Sequence, residues 1–268
     1  MNLGSWFYKK MKQKLIIFFC LTVFCLPAQN KTAELNIGIG QIKYKNSTVM
    51  PSGVSGTQYT LDYWQKKDLK SNENVSFGYF AELDFSHLNS WKAYNYNAFI
   101  NGLDAGAFWL GHLPAKNEQI KLYAGGGLLF DLAVHYSSLN GSFANSISGQ
   151  WFLSPFVYFL GDYNLDKLNF RFRFSMPVFS FGFQSRSLYN STFFENAKMV
   201  LTPNTFAFFT GRFYPRFDIS ASYPVFYNDR TEGRLQLRYS LEQLFYSGFP
   251  SERKAVNGVK LGMVWVIN

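Results

Sequence analysis

The chain has 268 residues, of which 47% are hydrophobic and 20% aromatic, and a formal net charge of +9. Its basic residues are scattered, with no basic block interleaved with aromatic residues, which excludes a nucleic-acid partner. One apolar run, Leu15 to Leu26, approaches membrane length, and it falls short of the roughly 20 residues that a spanning helix needs.

That run is preceded by Lys12 and Lys14 and followed by Pro27, Ala28 and Gln29. A basic flank, a short apolar stretch and a small residue together read as a secretory signal over residues 1–28, with cleavage after Ala28 and Met11 as an alternative start. Both cysteines, Cys20 and Cys25, fall inside it, each after a phenylalanine where a lipidation site needs a small residue. The mature domain, 29–268, then has no cysteine for a disulfide, a thiolate metal site or a nucleophile. Removing Lys9, Lys10, Lys12 and Lys14 with the signal leaves about +5.

Beyond the signal, apolar and polar side chains alternate with period two, which only a strand converts into two distinct faces. Residues 34–44 form the first candidate, with Leu35, Ile37 and Ile39 on one face. Residues 58–66 place Tyr59, Leu61 and Tyr63 together, and 74–87 and 94–111 follow. Residues 119–137 are the longest clean strand, and 150–163 are apolar on both faces. In 168–184, Phe170, Phe172 and Phe174 alternate with Arg171 and Arg173, and the phase slips by one after Met176-Pro177. Proline cannot donate to a strand ladder, so a β-bulge is expected there. Residues 217–227, 233–246 and 258–268 complete ten strands.

Short polar connections at 67–73, 112–118, 164–168 and 228–232 alternate with longer ones at 46–57, 137–149, 185–216 and 248–257. Short turns at one end, long loops at the other, an aromatic outer face and a polar inner face describe an all-β chain: a single antiparallel transmembrane barrel of about ten strands in the bacterial outer membrane. Two further strands within Asn196 to Phe213 would make twelve. In this pattern the chain resembles small outer-membrane barrels that serve as enzymes, adhesins, narrow channels or subunits of envelope machines. The excess of about +5 on an outer-membrane barrel points to outer-membrane lipids and lipopolysaccharide as partners, with other envelope proteins as further ones. Segment 185–216, with Tyr189, Phe193 and Phe194, is the candidate binding loop.

His135 and Ser137 share one strand face, within reach of a base-activated nucleophile. The segment resembles the His-x-Ser dyad of outer-membrane phospholipase A and lipid A deacylases, which implies acyl hydrolysis. Parity nevertheless points both residues inward, away from Leu128, Phe130, Leu132 and Val134. His87 and Ser90 have opposite parity, and His112 falls in an expected turn, so no metal site is expected. Gly125-Gly126-Gly127 lies within a strand and reads as space for bulky lumen residues rather than a phosphate cradle. No cofactor motif appears. The inner face gathers Glu82, Asp84, Asp131, Asp218 and Glu242 with Arg171, Arg173, Arg234 and Arg238. Charges in a narrow bore must pair or stay hydrated, so a lumen plugged by salt bridges is expected, with the five acids as partners of the four arginines. The expected role is structural, binding or that of an envelope-complex subunit, with a narrow porin as the alternative and a His135/Ser137 hydrolase as the second alternative.

Overall fold

The computed structural model describes residues 31–46, 50–69, 72–89, 96–115, 117–139, 146–184, 205–208, 211–228, 230–247 and 251–267. The signal segment 1–28 and residues 185–204, with Tyr189, Phe193 and Phe194, lie outside the described residues. The described strands are β1 (Lys31–Asn46), β2 (Met50–Leu69), β3 (Asn72–Asn89), β4 (Tyr96–Leu113), β5 (Ile120–Leu139), β6 (Ser146–Leu165), β7 (Leu168–Pro177), β8 (Phe179–Gln184), β9 (Thr205–Phe208), β10 (Arg212–Phe213), β11 (Arg216–Tyr227), β12 (Thr231–Tyr246) and β13 (Glu252–Ile267). Neighbours pair antiparallel in the order β5-β4-β3-β2-β1-β13-β12-β11-β7-β6, and β6 pairs with β5 to close the ring.

The result is a closed barrel of ten long strands, in which β7 and β8 count as one interrupted strand. The break is the expected bulge. Phe156 stands opposite Pro177, yet Leu153 stands opposite Phe181, a slip of one residue at Val178. Arg171 and Arg173 point inward before the slip, and Ser180 is buried inside after it. β9 and β10 stand outside the ten. β9 pairs with β8, and β10 pairs with β12 in the same register as β11 does, so both extend the wall above β11.

Along the strands the two faces exchange character. Over most of β1 the outward side chains are apolar, with Ile37 68% and Ile39 55% exposed, while Glu34 and Asn36 are buried inside. Near the end of β1 furthest from the chain termini, Ile42 and Tyr44 turn inward, and Lys43 and Lys45 are exposed outside. Val54, Leu88, Ala98, Ile100 and Val256 join Ile42 and Tyr44 in a buried apolar cluster inside that end. An outward apolar face suits hydrocarbon, whereas an apolar interior under a polar surface suits water. The inversion marks the level at which the belt ends on this side of the barrel.

The inversion also explains where the sequence reading of connections fails. Most of the loop expected over 46–57 is strand, because β2 begins at Met50. The expected 137–149 and 248–257 likewise give way to strand, with β5 running to Leu139 and β13 starting at Glu252. His112 lies in β4 rather than in a turn. Strands of 20 residues, such as β2, β5 and β6, are about twice the 9–11 needed to cross a bilayer.

Tags inserted at 114–119 and 228–230 are expected to be shielded on intact cells. Tags at 140–145 and within 185–204 are expected to be accessible. Surface labelling at 114–119 would reverse the orientation.

Candidate functional site: the charged lumen

Adjacent strands bring inward side chains into register, and register orders the lumen charges. Asp62 on β2 stands opposite Glu82 on β3, Glu82 opposite Asp104 on β4, and Asp104 opposite Asp131 on β5. Four acids therefore form one ladder across a quadrant of wall. Like charges directly opposite are unfavourable. The facing wall supplies the answer: Lys260 on β13 stands opposite Arg238 on β12, and Arg216 and Arg212 lie on β11 and β10.

The ladder is neutralised across the bore. Asp62 pairs with Arg238 at 3.0 Å and with Lys260 at 3.1 Å. Lys260 also reaches Glu82 at 3.0 Å. Arg216 makes a close ion pair with Asp104, and Arg212 meets Asp131 at 2.6 Å. Below the ladder, three guanidinium groups converge on Glu34: Arg171 and Arg238 in close pairs, and Arg173 at 2.5 Å. Arg171 is also held by Asp162 at 2.5 Å. Glu34 has no exposure at all. Its oxygens are thus satisfied only by these cations, the condition under which a buried charge is tolerated.

All nine charges expected inside do point inward, but most have partners other than those expected. Arg171, Arg173 and Arg238 take Glu34, Asp62 and Asp162, not the five named acids. Among those five, Glu82 takes Lys260, Asp131 takes Arg212, and Asp84 and Glu242 share Lys254 at 3.8 Å each. Glu242 also lies 3.7 Å from Arg216. Arg234 pairs with Glu232 at 3.0 Å near the mouth on the side of the termini. Asp218 lines an internal cavity of about 60 Å³ and has no ion pair among the described residues.

Glu34, Asp62 and Lys260 were legible, since they alternate with Leu35, Leu61 and Leu261. Arg212, Arg216, Glu252 and Lys254 were hidden in segments read as loops.

The other half of the lumen is apolar. Trp64, Phe108, Leu110, Tyr123, Leu129, Phe156, Tyr158 and Leu160 form a buried cluster, with Phe80 against it. Trp64 is the seam: Arg173 lies 4.1 Å from its ring, and its Nε1 donates to the Tyr158 hydroxyl at 3.1 Å. Glycines make room for these rings. A Cβ on Gly106 would fall 2.7 Å from Phe80, and one on Gly127 would fall 2.9 Å from Phe156. The space expected from the Gly125-Gly126-Gly127 run is therefore used at Gly127 by Phe156.

His135 is buried on the inner face, as parity required, with Nδ1 3.1 Å from the Tyr44 hydroxyl. It sits beside the apolar cluster at the end furthest from the termini, and the Ser137 side chain lies outside the described residues. His87 stacks on Phe99 at 4.9 Å on the outer face. Among the described residues no three His, Cys, Asp or Glu side chains gather to hold a metal ion. A polar cavity of about 320 Å³ opens at the mouth near the termini, lined by Lys31, Lys66, Lys121 and Arg234 among others.

No protein-family model matches the chain, and no curated protein matches it in sequence. Solved structures do match. The outer membrane protease OmpT of Escherichia coli superposes with a TM-score of 0.53 at 9% identity, covering 91% of this chain and 99% of OmpT. The chain has the fold of the outer-membrane β-barrels. The β domain of the Bordetella autotransporter BrkA matches with a TM-score of 0.50 at 7% identity, covering 90% of this chain and all of that domain (100%). At such identities the shared property is the barrel itself.

Glu34→Ala leaves Arg173 without an ion pair among the described residues, takes one of two carboxylates each from Arg171 and Arg238, and is expected to destabilise the barrel by roughly 3–5 kcal/mol. Arg173→Ala should cost less, because Glu34 keeps two cations. Phe172→Leu, on the outer face, should cost least. Denaturant unfolding followed by heat-modifiable gel mobility ranks the three.

Proposed function

We propose that this chain is an outer-membrane barrel, exported by the signal in residues 1–28, whose lumen is closed by ion pairs. Its role is structural, binding or that of an envelope-complex subunit, with outer-membrane lipids, lipopolysaccharide and other envelope proteins as partners. The observation carrying this reading is the acid ladder Asp62, Glu82, Asp104 and Asp131, each rung matched by a cation reaching across the bore. Cations that bridge opposite walls occupy the path a solute would take. The aromatic cluster around Trp64 and Phe108 fills the remaining half. OmpT is a protease and BrkA an autotransporter, but a shared barrel transfers neither activity.

A narrow channel is the second reading. It is favoured by the 320 Å³ basic mouth and by the Gln58 amide and Thr60 hydroxyl, which are buried with no protein partner. Planar-bilayer recording separates the two. Wild type is expected to be silent, and Glu34→Ala to open a leak. Steady wild-type conductance overturns the closed lumen.

The hydrolase reading needs His135 open to substrate, and its burial against Tyr44 weighs against that. Purified protein is expected to release no fatty acid from phospholipid or lipid A. Release that disappears in Ser137→Ala would make the chain an enzyme.

A further inference from the structure

Above the outward belt, on β1 and β13, three cations share one face. Lys45 stands directly opposite Arg253, and Lys43, two residues along, stands opposite Ala255. All three are exposed, and none has an ion pair among the described residues. Among the described residues no acid faces outward on β13, β1 or β2 at this level; Glu252, the nearest in sequence, is buried inside. Like charges directly opposite on a sheet repel, so packing alone gives no reason for the arrangement. The Arg253 guanidinium lies 4.9 Å from the centre of the Phe245 ring, which holds it along the wall.

What lies below the cations specifies the ligand. Gln41 stands opposite both Asn257 and Thr57, a row of hydrogen-bonding side chains. Beneath that row come Ile39, Ile37, Val259 and Leu261, among the most exposed aliphatic residues of the barrel. From top to bottom the face offers positive charge, hydrogen-bonding groups and a smooth apolar surface. A molecule complementary to it carries a phosphate, a sugar and acyl chains, in that order.

We propose that Lys43, Lys45 and Arg253 bind the phosphate of an outer-leaflet phosphorylated glycolipid, the lipid A part of lipopolysaccharide. Its acyl chains lie along Ile37, Ile39, Val259 and Leu261. The site rests on the proposed outer-membrane barrel, with the orientation expected from its short and long connections, which turns this end toward the outer leaflet. It adds a defined contact to that reading. Three cations on a flexible-headed anion bind by charge-assisted hydrogen bonds that remain strong at a lipid interface.

The test is native mass spectrometry of the detergent-solubilised barrel with bisphosphorylated lipid A, dephosphorylated lipid A, phosphatidylglycerol and inorganic phosphate. Bisphosphorylated lipid A should be retained best. Binding should fall at least about tenfold in the triple variant Lys43→Gln/Lys45→Gln/Arg253→Gln. Lys67→Gln, at the opposite end of β2, should leave binding unchanged, and heat-modifiable mobility should be that of wild type in both variants. Equal retention of dephosphorylated lipid A, full retention by the triple variant, or a preference for phosphatidylglycerol or free phosphate overturns the proposal. Binding in detergent is independent of conductance, so a wild-type leak would overturn the closed lumen alone.

Discussion

Closure of ten strands creates a bore that side chains must fill, and the sequence places charge in it. At its centre the carboxylate of Glu34 collects Arg171, Arg173 and Arg238 from β7 and β12, strands that do not touch β1. An apolar filling of the same volume would serve stability as well, because desolvating ions is costly. The ion pairs contribute something else. A slip of one residue turns every inward side chain outward. For a wall carrying Arg171, Arg173 and Arg238, each would then face lipid, at about 2–4 kcal/mol apiece near the midplane. The lumen charges thus penalise misregistered closure more heavily than a methyl-filled bore could.

The division of the bore into a charged half and an aromatic half follows from the same requirement. Acids on β2 to β5 are answered by cations on β10 to β13, so these walls must face each other across the axis. The rings of Trp64, Phe108 and Phe156 occupy what remains, over inward glycines that could not carry a side chain without collision. Trp64 joins the halves by offering its ring face to Arg173 and its Nε1 hydrogen to Tyr158. A cation on an aromatic face is attracted without needing a counter-charge.

The strand count, the bulge after Pro177 and the inward set were legible because each depends on period-two alternation within a strand. The ion-pair partners were not. Pairing across a bore depends on shear, and no local pattern encodes which residue of β13 reaches which residue of β2. Strand ends were misplaced for a different reason. Recognition relied on apolar residues facing outward, and beyond Ile39 the faces trade places: Val54, Ile42 and Val256 point in while Ser55, Lys43 and Asn257 point out. Alternation persists there with its sign reversed, so strand was read as loop. Lys254 was lost with one such segment, whereas Arg212 and Arg216 were lost with the expected loop 185–216.

That reversal bears on how such a barrel enters a bilayer. Below it, the outward apolar side chains meet hydrocarbon whether or not the ring closes, and the ring cluster around Trp64 and Phe108 is the apolar surface that closure buries in the lumen. Above it, Ile42, Leu88, Ile100 and Val256 leave water on closure, so this rim can zip as a soluble sheet does. Yet in the proposed orientation the rim is the leading edge during insertion. Lys43, Lys45 and Arg253 must all be carried through the hydrocarbon before the rim meets water on the far side. Spontaneous entry into an intact bilayer is therefore slow. A path that shelters these three cations, a thinned membrane or the wet interior of an assembly machine, sets the rate at which the barrel forms.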